Sequence, residues 1–225
     1  MNELNEEVIK PFGRVIEYGV HNFSIKLEIE QFIRPYPKIM TMAKTLSSQT
    51  LKKNDNAPSF KLKGTDDKFH SIEDFKSKCL LIVFICNHCP YVKARIGDLV
   101  DLQNKFSNTQ LQIVGINSND PAYQDEGFEN MIKFSKENSL NFPYLIDDTQ
   151  QIAKSYGAVC TPDPFLFNEN RKLIFHGKIN DALEPEMTPQ VRVMENNVKR
   201  ILGGQTLEKD FDPSIGCSIK WKTDS

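Results

Sequence analysis

Leu80-Leu-Ile-Val-Phe-Ile-Cys86-Asn-His-Cys89-Pro90-Tyr-Val-Lys93 is the stretch on which the reading of this chain turns. Residues 80–85 form an uninterrupted apolar, branched run, the pattern of a strand covered on both faces. Pro90 is pre-organised for the first position of a helix, and Val92, Ile96, Leu99, Val100, Leu102 and Phe106 follow at helical spacing. A buried strand therefore gives way to an amphipathic helix across Cys86, Asn87, His88 and Cys89. In layered α/β folds, ligands and reactive groups gather where strands end and helices begin. A thiol in the first turn of a helix feels the positive end of the macrodipole and unpaired amide donors, both of which favour the nucleophilic thiolate. Cys89 directly precedes Pro90 and takes the cap position, whereas Cys86 lies nearer the strand end.

Outward from this junction the pattern stays regular. Upstream, residues 59–63 and 69–72 flank the turn Gly64-Thr-Asp-Asp67 and predict a hairpin, followed by a single capped helical turn over residues 71–75. Downstream, residues 111–116 predict a second buried strand, running into the polar loop Asn117-Ser-Asn-Asp120-Pro121. Phe128, Met131, Ile132 and Phe134 mark a helix, residues 144–146 a short edge strand, and residues 149–156 a helix stopped by Gly157. Residues 165–167 and 172–176 predict a second hairpin, and Pro189 opens a last helix closed by Gly203-Gly204. Strands alternating with helices in this order predict an α/β layered domain with a central mixed sheet.

The chain has 225 residues, enough for one domain with a real core. Residues 1–56 read as an extension and linker, 57–205 as the domain and 206–225 as a C-terminal tail. Residues 19–33 contain alternating stretches that suit a strand, and Met40 or Met42 offers an alternative translation start. The 28 Lys and Arg against 30 Asp and Glu are interspersed, with a net charge of −2, which argues against nucleic acid and anionic membrane as partners. The longest apolar run is too short to span a bilayer and the N-terminus lacks signal-peptide character, so a cytoplasmic protein is expected. Five cysteines at irregular spacing argue for redox, nucleophilic or metal roles rather than a disulfide framework.

A strand, a cysteine at a helix start and a Thr-Pro before a terminal hairpin resemble the thioredoxin superfamily. The hairpin of residues 59–72, Phe142-Pro-Tyr-Leu-Ile-Asp-Asp148 and Ile152-Ala-Lys-Ser-Tyr-Gly157 resemble its peroxiredoxin and alkyl-hydroperoxide-reductase branch. Phe84-Ile-Cys-Asn-His-Cys-Pro-Tyr-Val-Lys93, Gly115-Ile-Asn-Ser-Asn-Asp120, Tyr156-Gly-Ala-Val-Cys-Thr-Pro-Asp163 and Ile215-Gly-Cys-Ser-Ile-Lys-Trp221 are similar to a peroxiredoxin-like family of redoxin domains. The resemblance runs from about Ala57 to Lys222. It implies a thioredoxin-like fold with an N-terminal β-hairpin addition, a cis peptide before Pro162 facing Cys89, and Cys89 as the attacking thiol. In thioredoxin alignment Val92 takes the place of the second thiol. In peroxiredoxin alignment Cys86 takes the place of the threonine whose hydroxyl orients the peroxide. No arginine that polarises the peroxide is assigned.

The resemblance implies a thiol-dependent oxidoreductase, chiefly a peroxide-reducing antioxidant, or alternatively a disulfide reductase or thiol-transfer protein. No organic cofactor is implied. The expected partners are a peroxide or disulfide substrate and a thioredoxin-like or small-thiol reductant. Cys86 is the first candidate for the disulfide partner of Cys89, with Cys160 as a rival and Cys217, in a mobile tail, as a third. Cys79 reads as structural. His88, an imidazole between the two thiols, suits proton supply or thiolate stabilisation. Thr161, Pro162 and Asn117 are candidate substrate contacts, and Asp163 reads as a loop-orienting residue. A zinc set of Cys86 and Cys89 with His88, Cys160 or His70 is the competing reading, but a second, similarly spaced pair is missing, so no metal is expected. An inert thioredoxin-fold binding module is a further class.

Overall fold

The computed structural model describes residues 44–223. Its strands and helices, in chain order, are β1 (Lys44–Leu46), β2 (Lys61–Gly64), β3 (Phe69–Ser71), β4 (Cys79–Phe84), α1 (Pro90–Lys105), β5 (Leu111–Asn117), α2 (Phe128–Glu137) and β6 (Tyr144–Ile146). There follow α3 (Gln151–Tyr156), β7 (Cys160–Thr161), β8 (Asp163–Asn168), β9 (Leu173–Gly177), α4 (Val193–Leu202), β10 (Phe211–Asp212) and β11 (Ile215–Ser218). The strand expected over residues 19–33 and the alternative start at Met40 or Met42 lie outside the described residues.

Eight strands form one mixed sheet in the order β10-β9-β8-β4-β5-β6-β2-β3. β4 runs parallel to β5 on one side and antiparallel to β8 on the other. All six residues of β4 are buried, and its alternation splits them between two apolar clusters. Cys79, Leu81 and Val83 face Ile96 and Leu99 of α1, Met131 of α2 and Val198 of α4. Leu80, Ile82 and Phe84 face Phe60, Ile72, Tyr156 of α3 and Phe165. Burying one large apolar side chain is worth about 1.5–3 kcal/mol, so β4 ties both layers together and fixes the place where it ends.

The β2–β3 hairpin forms as expected. The capped turn after it is a 3-10 helix over Ile72–Asp74, where the Asp74 carboxylate accepts the Ser71 amide at 2.6 Å. α3 closes at Gly157, which adopts the left-handed conformation, φ 70°, with Thr50 packed where a side chain would stand.

Three expectations are corrected. β6 is not an edge strand, because β2 pairs with its outer side at Lys63 and Gly64. Helix α4 begins at Val193 rather than beside Pro189, because the Asp181 carboxylate accepts the amides of Gln190 and Val191 and holds them in the preceding loop. The segment read as a mobile tail is built into the sheets: β10 pairs with β9, and β11 lies between β1 and β7 in a second, three-stranded sheet. Residues from the presumed linker take part, since β1 pairs with β11 and the Ser47 amide donates to the Ser214 carbonyl at 2.9 Å.

Candidate active site

The β4–α1 junction sets the frame. Cys89 has extended torsions and caps α1, with Pro90 at the first helical position and its carbonyl accepting the Lys93 amide at 3.0 Å. The Thr161–Pro162 peptide is cis, as the resemblance implied. The neutral Cys89 thiol donates to the Thr161 carbonyl at 3.3 Å, which brings the loop before β8 against the helix start. Cys89 is fully buried.

The sulfur nearest to it belongs to Cys217, at 2.6 Å. β11 runs antiparallel to β7 with Cys217 opposite Thr161, so the strand that carries this thiol rests on the edge that faces Cys89. Gly216 makes the approach possible: a Cβ there would stand 2.0 Å from the Thr161 oxygen. Burial opposes ionisation of Cys89, but donation from the Cys217 and Cys86 thiols and from the Val92 and Cys217 amides outweighs it and holds Cys89 well below the ordinary thiol value. Cys217 moves the opposite way, because it donates to the Cys89 thiolate and is itself buried. The pair thus favours thiolate at Cys89 and leaves the proton on Cys217. The Thr161 carbonyl, a good acceptor for the neutral thiol, gives the thiolate no support.

Cys86 is buried beneath the junction and contacts the Thr161 hydroxyl at 3.2 Å. Desolvation chiefly, together with hydrogen bonding to Cys89 and the nearby Glu126 carboxylate, pushes its thiol well up. Cys160 alternates to the other face of β7. Its sulfur lies 3.9 Å from the Ser214 hydroxyl, and burial raises its pKa. Cys79 is buried in β4, its thiol raised to about 11 by desolvation.

Sequence reasoning missed Glu126. Its buried carboxylate accepts the amides of Asn87 at 3.0 Å and His88 at 3.2 Å, the His88 Nδ1–H at 2.5 Å and the Asn117 side-chain amide at 2.6 Å. Desolvation works against the charge, yet the hydrogen bonds from His88 and Asn117 hold Glu126 below the usual carboxylate range. The backbone between the two thiols is therefore fixed by a residue thirty-eight positions away. His88 Nε2 is buried without a partner, and its ring packs on Tyr123 at 5.1 Å. Asn117, proposed as a substrate contact, is buried and spends its amide on Glu126.

The zinc set weighed from sequence does not assemble: His70 pairs with Asp66 in the hairpin and Cys160 turns to Ser214. Among the described residues, the group able to hold a cation is Cys86, His88 and Glu126, whose ligand atoms lie within 4.8 Å of one another. Two of the three are already joined by the His88–Glu126 hydrogen bond. Asp163 sits opposite Phe84 and, with both side chains fully buried, accepts a hydrogen bond from His176 at 2.7 Å and from the Ser214 hydroxyl at 3.1 Å.

The model of the AhpC/TSA family matches residues 54–176. The chain belongs to the AhpC/TSA family. It is similar to the thiol-disulfide oxidoreductase ResA of Geobacillus thermodenitrificans, 25% identical over 134 residues that cover 60% of this chain and 70% of that protein. It is also similar to the chloroplastic peroxiredoxin Q of Populus jackii, 29% identical over 106 residues, 47% of this chain and 46% of that one. Among solved structures, a conserved protein from Geobacillus kaustophilus is 37% identical with a TM-score of 0.77, covering 82% of this chain and 99% of that chain. The thioredoxin domain of a thiol-disulfide oxidoreductase from Bacteroides vulgatus, 20% identical with a TM-score of 0.52 over 68% of this chain and 99% of that one, shares the fold. The AhpC/TSA chain thus has a thioredoxin-like fold and is a thiol-based oxidoreductase. Among its described residues no helix is long and apolar enough to cross a membrane.

Proposed function

We propose that this chain is a thiol-disulfide oxidoreductase whose nucleophile is Cys89. The observation that carries the reading is a thiolate-favouring cysteine at the start of α1, opposite the cis-proline loop and surrounded by thiol and amide donors. In the reaction, the Cys89 thiolate attacks one sulfur of a substrate disulfide, forms a mixed disulfide and releases the other sulfur as a thiolate, which takes a proton from solvent. A second thiol then displaces the substrate sulfur from Cys89. A thioredoxin-like or small-thiol reductant restores the dithiol, and no organic cofactor takes part. The odd number of cysteines and the absence of a structural disulfide pattern suit a reducing compartment, so the proposal places the protein in the cytoplasm.

Peroxide reduction is the second reading, favoured by the family and by the full burial of Cys89, which a small oxidant reaches most easily. In that case the thiolate attacks the O–O bond, becomes sulfenic acid and releases an alcohol or water after proton uptake. Two features weigh against it as the main activity. Cys86 stands in the place of the orienting threonine, and among the described residues the arginines are committed elsewhere. Arg95 donates to the carbonyls of Glu184 and Met187, Arg171 to Ser77, Arg192 pairs with Asp98 and Arg200 with Glu208.

The test is stopped-flow oxidation of the reduced protein by hydrogen peroxide and, separately, by a protein disulfide. Faster exchange with the disulfide is expected, and loss of both reactions in Cys89→Ser. Faster reaction with peroxide would transfer the assignment to the peroxidase reading. Full activity in Cys89→Ser would end both.

A further inference from the structure

Resting on Cys89 as nucleophile, we propose that Cys217 is the thiol that completes its cycle, through an intrachain Cys89–Cys217 disulfide delivered by strand β11. Three independent features of the fold converge on this pair. The two sulfurs are 2.6 Å apart, the shortest sulfur contact recorded among the described residues. The register of β11 on β7 places Cys217 opposite Thr161, whose carbonyl also meets Cys89. Glycine at 216 admits a backbone approach to Thr161 that any side chain would block.

The strand is also held on its other side and beyond its end. β1 pairs with β11 from Lys44 to Leu46. After β11, the Lys220 amide donates to Asn119 Oδ1 at 2.8 Å, and the Asp120 amide donates to the Lys220 carbonyl at 2.7 Å. Cys217 is thus presented by a fixed strand rather than by a free tail. The rival thiols are placed differently: Cys86 also hydrogen-bonds to Cys89, but it is held from the other side by the Thr161 hydroxyl at 3.2 Å, and Cys160 turns to Ser214.

The chemistry balances on both routes. From a mixed disulfide, Cys217 attacks the Cys89 sulfur, the Cys89–Cys217 bond forms, and the substrate sulfur leaves with the proton Cys217 has lost. From a sulfenic acid, the same attack releases water. In each case one external dithiol or two small thiols return the pair to the reduced state. The proton on Cys217 that stabilises the resting Cys89 thiolate is the one that the leaving group takes, so the pair supplies both activation and proton balance.

The test oxidises the reduced full-length protein with one equivalent of hydrogen peroxide or oxidised glutathione and maps disulfides by mass spectrometry without reduction. A Cys89–Cys217 link as the main intrachain product is expected. In Cys217→Ser, which keeps a hydroxyl donor beside Cys89, that link is lost, and a dimedone-trapped sulfenic acid or a glutathione adduct accumulates on Cys89. A main product linking Cys89 to Cys86 or Cys160 overturns the inference while leaving the nucleophile intact. Absence of any modification on Cys89 sinks the nucleophile reading itself and this inference with it. The mapping on unmodified protein decides the matter even if the variant does not fold.

Discussion

The surroundings that favour thiolate at Cys89 come from its neighbours more than from its own type. A thiol in water ionises near pH 8.5, and burial alone would raise that value, as it does for Cys79 and Cys160. Donors from Cys217, Cys86 and two amides reverse the sign at Cys89. With the folded thiol shifted down, the proposed nucleophile is ionised throughout the neutral range, and the thiolate is lost only as pH falls through the lowered value. The rate of Cys89 oxidation should therefore be flat from weakly acid to alkaline pH. A rate that climbs about tenfold per pH unit up to an ordinary thiol pKa would contradict this. Glu126 is the other decisive residue. Its carboxylate is depressed, so the stability it contributes is present above the ordinary glutamate pKa and disappears as pH falls through the folded one. Glu126→Gln should cost about 1–3 kcal/mol at pH 7 by leaving buried donors poorly matched. The gap from the parent in urea titrations should narrow at acid pH.

At the scale of elements, β4 and β11 carry opposite kinds of information. β4 is written in its apolar run, and Leu81→Ala, which removes a fully buried side chain between sheet and helices, should cost about 2–5 kcal/mol in denaturant melts. β11 is four residues, Ile-Gly-Cys-Ser, with no length or periodicity to announce a strand. It was legible only as a family phrase, and its pairing partners β1 and β7 are shorter still. Its place depends on a backbone contact that Gly216 permits. Gly216→Val should push β11 from Thr161 and open Cys89 to solvent. Alkylation of native Cys89 by iodoacetamide should then speed up about tenfold or more, equal to about 1.4 kcal/mol in the open population. An unchanged rate would mean that the strand stays closed over the thiol without the glycine.

For the whole molecule, the large sheet sets the thiol site and a buried polar core supports it from behind. Asp163, one residue after the cis proline, is fully buried with His176 and Ser214, while Asp163 Oδ2 and His176 Nδ1 have no partner. Desolvation raises the Asp163 pKa, and the hydrogen bonds from His176 and Ser214 only partly offset it. Breaking such a pair from one side leaves a stranded polar group, so Asp163→Ala should lower stability by about 3–5 kcal/mol in guanidinium unfolding. A loss under 1 kcal/mol would show that Asp163 neither braces the β8–β9 hairpin through His176 nor ties it to Ser214 between β10 and β11.

The sequence by itself determined the parts governed by local torsion and periodicity: the buried strand, Pro90 at the helix start, the two hairpins, and Cys89 as the helix-capping thiol. The family phrases added the cis proline. What it misread were features set by a neighbour distant in the chain, namely β6 covered by β2, α4 delayed by Asp181, and the tail folded into a sheet. Only the tertiary structure decided which groups surround Cys89. Cys217 is 128 positions from Cys89, and Glu126 38 positions from His88. Periodicity records which face of an element is buried, but not the long-range register that brings one sulfur, and not another, against the reacting thiol.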